Sequence, residues 1–182
     1  GFHDGDWLAL DGGCYHMPTG GTDIYYISSA FFCYSVEIIA KTAEILGKEE
    51  DYKRYSNKAA EVRAAIQNEY FTVNGNLCID TQTAYIIALE FGIVENEVQR
   101  ELIKKRFIER IRKDGYTLKT GFVGTPLILN ALSDCGRSDL AYKLLLGNEY
   151  PGWLYPVTLG ATTMWERWNA LNPDGSMSDT GM

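Results

Sequence analysis

Residues 153–175 gather the side chains best suited to chemistry on a polyhydroxylated molecule. They run Trp153-Leu154-Tyr155, then Ala161-Thr162-Thr163-Met164-Trp165-Glu166-Arg167-Trp168, then Asn172-Pro173-Asp174-Gly175. Tryptophan presents a flat apolar face to sugar C–H groups, and the carboxylate of Glu166 can accept from hydroxyls or activate a water. Arg167 is a permanent cation beside that carboxylate and can steady its charge. Three of the 4 tryptophans fall in this segment.

A plainer reading stands beside that one. Trp165 and Trp168 are three apart, so on a helix they share a face and serve as core, with Glu166 in a surface ion pair. Against this, Pro156 and Gly160 on one side and Pro173 and Gly175 on the other interrupt regular structure. The spacing therefore predicts a loop-flanked rim, which is where binding residues concentrate.

Elements elsewhere must position this rim. Residues 1–20 are rich in Gly, Asp and Pro and read as an irregular loop. From Asp23 to Leu46 no Pro or Gly occurs, and Ile24, Ile27, Phe31, Tyr34, Ile38 and Ile45 recur at mostly helical spacing up to Gly47. This predicts a long helix buried on more than one side. A charged helix over Lys48 to Tyr70 follows, with Tyr52, Tyr55, Ala59, Val62 and Ile66 as its apolar stripe, returning antiparallel to the first.

The alternation repeats downstream. An Asn74-Gly75 turn suggests a small hairpin. An apolar helix over Thr81 to Phe91 precedes a charged one over Asn96 to Lys113; Pro126 to Leu132 is apolar, and Ser138 to Leu146 opens on a candidate Ser N-cap. Apolar inner helices paired with charged outer ones predict an all-α fold, helical hairpins forming part of an α/α toroid, with minor β-hairpin segments in the loops. Loops at 1–20, 71–80, 114–125 and 151–164 are long, whereas the apolar-to-charged turns are short. The long loops are expected to meet at one end of the inner layer and hold the site.

Composition narrows the function classes. The 182 residues are 46% hydrophobic and 13% aromatic, enough for one cored domain. A formal net charge of -7 argues against nucleic acid as a partner, because the Lys104 to Lys113 basic run is interleaved with acidic and apolar residues. No apolar stretch of about 18 residues is present, so no membrane span is expected. Cys14, Cys33, Cys78 and Cys135 are scattered, which predicts buried free thiols and fits a reducing compartment. His3 and His16 have no clustered partners, so neither a metal nor a cofactor is expected.

Five segments, taken in order, carry a resemblance: Gly5-Asp6-Trp7-Leu8, Thr81-Gln82-Thr83-Ala84-Tyr85, Thr120-Gly121-Phe122-Val123-Gly124-Thr125-Pro126, Trp153-Leu154-Tyr155, and Gly160 through Trp168. Together they resemble the catalytic domain of bacterial alpha-L-rhamnosidases, glycoside hydrolase family 78, over essentially the whole chain. The resemblance implies an (α/α)6 barrel that removes terminal alpha-L-rhamnose with inversion, with Glu166 as general base and Trp7 lining the sugar pocket beside Asp6. Trp153, Tyr155, Trp165, Arg167 and Trp168 join them as expected substrate contacts, and Tyr15, Tyr25 and Tyr26 are further candidates for a sugar platform.

The family's general acid, in an Asp-Glu-Arg motif, and its Asn-His-Tyr segment have no counterpart in these 182 residues. The chain is therefore expected to be a single incomplete catalytic domain, nearly inactive alone, with an apolar patch covered by an oligomer or a partner fragment. Asp4 and Asp6 are the carboxylates that could face Glu166, although Asp beside Gly is usually a turn residue. Two other classes remain open, a non-catalytic carbohydrate-binding module and a helical scaffold with the aromatics as core.

Overall fold

The computed structural model describes residues 4–12 and 18–177; His3, Cys14, Tyr15 and His16 lie outside the described residues. Among the described residues seven helices follow in order: α1 (Ile24–Ile45), α2 (Glu49–Tyr70), α3 (Gln82–Glu90), α4 (Glu97–Lys113), α5 (Ile128–Asp134), α6 (Ser138–Leu145) and α7 (Tyr155–Thr158). Extended pairing among the described residues is limited to two isolated bridges, Phe71 with Leu77 and Leu171 with Met177. The first brackets the predicted Asn74-Gly75 turn, and the second brackets the Pro173 and Gly175 breakers.

The elements begin and end where local chemistry dictates. Asp23, Thr81 and Asn96 cap α1, α3 and α4, each accepting from the backbone amide three residues on. These bonds satisfy amides that the first helical turn leaves without partners. The candidate cap Ser138 instead sits inside α6, whose N-cap residue is Arg137 with no side-chain cap bond.

Each apolar helix hands over to the next one through the same turn. The amides of Lys48, Ile93 and Arg137 donate to the carbonyls of Ala43, Ala88 and Leu132 at 2.8, 3.1 and 2.9 Å. The residue before each donor is a glycine at φ 65, 62 and 70°. This left-handed closure satisfies a terminal helical carbonyl and favours a residue without Cβ. Three hairpins result, α1 with α2, α3 with α4, and α5 with α6.

Helix α3 is the axis of the core. Eight of its nine residues are buried, and it packs against α1 and α5 as well as α4. The outer helices bury one stripe each: Ala59, Ile66 and Gln67 on α2, and Ile103, Phe107, Ile108 and Ile111 among the residues of α4. Gln67 and Gln99 join these stripes: Gln67 Nε2 donates to the Ile93 carbonyl at 2.6 Å and Gln99 Nε2 to Gln67 Oε1 at 2.9 Å. Buried amides satisfied in this way fix the register between two otherwise charged helices.

Helix α1 departs from expectation. Its buried residues form one stripe, Tyr26, Ile27, Ala30, Cys33, Val36, Ala40 and Ala43. Tyr25, Phe32 and Ile39, at seven-residue steps, and Phe31, Ile38 and Ile45 beside them are exposed. The apolar periodicity was correct, but α2 and α3 cover only one side of it. The thiols also diverge: Cys33 is buried, Cys135 half-buried and Cys78 exposed.

This burial pattern sets the cost of truncation. Phe32→Gln and Ile39→Gln, on the uncovered side, are each expected to change unfolding free energy by about 0.5 kcal/mol or less. Ile86→Ala, in fully buried α3, is expected to cost about 2–5 kcal/mol. Urea unfolding of the three variants checks both expectations, and comparable losses from all three would contradict them.

Candidate active site

The site is assembled by the first turn of α3. Thr81 caps the helix and shares a hydroxyl hydrogen bond with Thr22 at 2.6 Å. Gln82 holds the 114–119 loop: its Nε2 donates to Asp114 Oδ2 at 2.8 Å and the Thr117 carbonyl at 2.9 Å, and its Oε1 accepts from the Lys119 amide at 3.2 Å. Thr83 donates to Asp6 Oδ2. One turn of helix thus grips two loops that lie about a hundred residues apart in the sequence.

Asp6 is the centre of this grip. It is 0% exposed, and besides Thr83 it accepts from the amides of Gly121, Val123 and Gly124 at 2.9, 2.8 and 3.2 Å. Expected as a sugar contact, Asp6 instead lies beneath the surface with its oxygens committed to protein donors. A buried carboxylate needs such partners, and a glycine-rich loop supplies amides at close range. The backbones approach so nearly that a Cβ on Gly121 would sit 2.1 Å from the Trp7 carbonyl oxygen, and one on Gly124 would sit 2.4 Å from Thr83 Oγ1. Amide bonds from Phe122 to the Trp7 carbonyl at 2.9 Å and from Leu10 to the Lys119 carbonyl at 3.1 Å complete the junction.

Asp11 lies beside this knot. Its Oδ1 accepts from the Gly21 amide at 2.8 Å, while its buried Oδ2 has no partner. Burial raises its pKa above the ordinary 3.8; the Gly21 bond counters this, and the charge of Asp6 adds to it.

The segment carrying Glu166 docks on the same junction. Trp168 Nε1 donates to the Thr120 carbonyl at 2.9 Å, one residue before the Asp6-bound Gly121, and the Trp168 ring lies 4.8 Å from that of Trp153. Residues 161–169 are turn and bend rather than helix, while Trp153 and Trp168 are partly buried against the core, so this segment has both rim and core character. Tyr155 is buried behind the rim: its hydroxyl donates to the Leu171 carbonyl at 3.1 Å and its ring meets Trp165 edge-on at 6.3 Å. Arg167 Nε donates to Asn169 Oδ1 at 2.7 Å rather than to Glu166.

Between these segments opens a cleft of about 410 Å³. Trp153, Trp165, Glu166, Arg167 and Trp168 line it, which brings together five of the expected site residues. Leu8, Phe122, Thr125, Pro126 and Met164 also line it and were not singled out by sequence reasoning, although all but Met164 lie in or beside the Gly-Asp-Trp and Thr-Gly-Phe-Val-Gly-Thr-Pro segments. Asp6, Trp7 and Tyr155 do not line it. Trp7 is half-buried and contributes its carbonyl to the loop junction, so the next residue, Leu8, reaches the cleft in its place. Asp4 is exposed and away from the lining. Glu166 is exposed and is the sole carboxylate among the described lining residues.

Three pairs of inner and outer helices, with an aromatic and acidic cleft among the loops that precede the inner ones, are the architecture of part of a six-hairpin glycosidase domain. Residues 1–181 match the bacterial alpha-L-rhamnosidase 6 hairpin glycosidase domain, and the chain belongs to that family. It is 42% identical over 155 residues to an alpha-L-rhamnosidase of Formosa agariphila, covering 84% of this chain and 16% of that protein. An Alteromonas alpha-L-rhamnosidase is 40% identical over 166 residues, covering 90% and 18%. The chain thus spans less than a fifth of the length of these curated relatives.

Solved structures agree on the architecture. The native alpha-L-rhamnosidase of Aspergillus terreus superposes with a TM-score of 0.94 at 32% identity, over 100% of this chain and 21% of its own. The Streptomyces avermitilis alpha-L-rhamnosidase complexed with L-rhamnose superposes with a TM-score of 0.84 at 36% identity, over 95% and 16%. The expected toroidal hairpin fold is therefore the observed one.

Two stability measurements probe the loop junction. Asp6→Ala strands four donors in a dry site and is expected to cost about 3 kcal/mol or more in chemical denaturation; a loss under about 1 kcal/mol would contradict the role given to Asp6. Asp11→Asn keeps an acceptor for Gly21 and removes a charge that folding disfavours. Because the folded pKa of Asp11 is raised, its penalty is absent below 3.8, the unfolded value, and grows as pH rises through the folded value. The variant is expected to melt higher than the parent at pH 7, with the difference vanishing towards pH 3.

Proposed function

We propose that this chain supplies the water-activating side of an alpha-L-rhamnosidase active site, with Glu166 as general base in an inverting hydrolysis. The observation that carries the reading is the isolation of Glu166. It is the one carboxylate among the described residues lining an indole-walled cleft, and no described residue bonds it. A carboxylate left unbound in this way is available to water or to a sugar hydroxyl.

In the proposed reaction Glu166 takes a proton from a water as the water oxygen attacks the anomeric carbon, on the ring face opposite the leaving oxygen. A second carboxyl, roughly 6.5–9.5 Å away in inverting enzymes, protonates that leaving oxygen. With Asp6 buried and Asp4 outside the lining, the proposed acid belongs to a part of the protein beyond these 182 residues. The chain is then one part of a catalytic domain. Trp153, Trp165 and Trp168 offer faces for sugar C–H groups, and Arg167, steadied by Asn169, keeps a positive charge at the rim. Asp6, Trp7 and Tyr155 serve as positioning residues behind these contacts.

The lone carboxylate equally suits a second reading, a carbohydrate-binding module without turnover. Hydrolysis of an aryl alpha-L-rhamnoside separates the two. The isolated chain is expected to show background rates. In a protein joining this sequence to its acid, Glu166→Gln is expected to lower kcat about 10²- to 10⁴-fold with KM little changed. Azide should restore turnover to Glu166→Ala and yield an inverted glycosyl azide. Substantial hydrolysis by the chain alone would overturn the divided site, and full activity of Glu166→Gln would overturn the base.

A further inference from the structure

The apolar part of the cleft has a composition that sugar hydroxyls do not explain. Leu8, Phe122 and Pro126 line it alongside the indoles, and none of the three offers a side-chain hydrogen bond. Leu8 is 2% exposed and holds φ at 64°, the left-handed conformation that favours glycine or asparagine. Its amide donates to the Pro18 carbonyl at 2.7 Å, and on its other side the Ala9 amide donates to the Asp6 carbonyl at 3.0 Å, so the backbone is held in this conformation from both sides. A glycine would adopt it without strain. The leucine costs backbone energy, and its side chain packs almost wholly buried with an aliphatic edge among the residues that line the cleft.

We infer that Leu8, with Phe122 and Pro126, forms a methyl-recognition surface that selects 6-deoxy sugars over sugars with a hydroxyl on C6. The inference rests on the rhamnoside reading of the cleft and extends it to the basis of sugar choice. L-rhamnose is the 6-deoxy form of L-mannose, and the two differ only by a hydroxyl on the exocyclic carbon. Against an aliphatic surface the methyl group sheds water favourably, whereas the hydroxyl loses its water partners and finds no replacement. Glu166, Arg167 and Thr125 remain as the polar side chains for the ring hydroxyls.

The Asp6 junction makes this surface rigid. Leu8 follows two residues after Asp6, and Phe122 lies between Gly121 and Val123, whose amides both donate to the Asp6 carboxylate. An apolar surface discriminates well only when it cannot move aside to admit water with the hydroxyl. A buried, four-bonded anchor supplies that stiffness.

The test compares methyl alpha-L-rhamnopyranoside with methyl alpha-L-mannopyranoside, each titrated into the chain with indole resonances as readout. The parent is expected to bind the rhamnoside about tenfold to a hundredfold more tightly, the range in which an apolar pocket rejects an added hydroxyl. Leu8→Asn suits the left-handed backbone and provides a partner for a C6 hydroxyl, and it is expected to shrink the preference at least tenfold. Phe122→Gln, at a position 54% exposed and therefore safe for folding, is expected to shrink it less. Equal affinity for the two glycosides in the parent would overturn the methyl surface while leaving a sugar site standing. Preference retained in both variants would also overturn it. Binding of neither glycoside would overturn the rhamnoside reading and the methyl surface with it.

Discussion

A buried carboxylate gripped by four donors is the interaction on which the cleft depends. Asp6 draws its partners from Thr83 on α3 and from three amides of the 121–124 loop. Desolvating a carboxylate is costly unless its oxygens are fully bonded, so the four partners are obligatory once the side chain is buried. The same demand explains Gly121 and Gly124. Amides can converge on one carboxylate only if the intervening backbones almost touch, and both positions leave no room for a Cβ. The glycines of this loop therefore answer to the anion they surround.

The hairpin architecture explains why the loops meet at this point. Each apolar helix closes through a glycine turn into its charged partner with only a few residues between them, which consumes one end of the inner layer in short connections. The longer segments 4–12 with 18–22, 71–81 and 114–127 must then gather at the opposite end, where α1, α3 and α5 begin. The first turn of α3 is buried at that end and reaches the first and the last of them. Its three polar residues, Thr81, Gln82 and Thr83, bond to Thr22, to the 114–119 loop and to Asp6 respectively. Such residues would be a liability in the middle of a core helix, but at its N-terminus they convert unsatisfied geometry into loop attachment.

What the sequence disclosed and what it concealed follow from the range of the interactions. Helices α1 to α4 were legible to within a residue or two because caps, glycine closures and apolar periodicity are local. The Trp-Glu-Arg-Trp rim was legible because breakers flank it. Asp6 was expected as a sugar contact through the resemblance, and nothing near it in the sequence reveals that amides more than a hundred residues away converge on it. Tyr155 failed similarly, since exposure of an aromatic depends on whether a later segment, here Leu171, folds over it. Leu8 was invisible because its left-handed backbone is held by bonds of its neighbouring peptides to the Pro18 and Asp6 carbonyls, not by its own preference. The exposed side of α1 shows the converse limit, for periodicity tells that a face is apolar but not which neighbours cover it.

These contacts make the position of Glu166 a property of the whole junction. Glu166 sits on an irregular segment whose attachment is the Trp168 indole bonded to the Thr120 carbonyl. Thr120 is the residue before Gly121, and its hydroxyl also pairs with Thr125 at 2.8 Å. Movement of Gly121 away from Asp6 would shift Thr120, release the indole, and tilt the carboxylate relative to Leu8 and Phe122. The general base proposed at Glu166 would need its distance to water fixed to a fraction of an ångström, and loops alone rarely achieve that. Here the loops borrow rigidity from α3 through one charged, dry anchor. The residue first expected to touch sugar contributes instead by holding together the walls between which a sugar would lie.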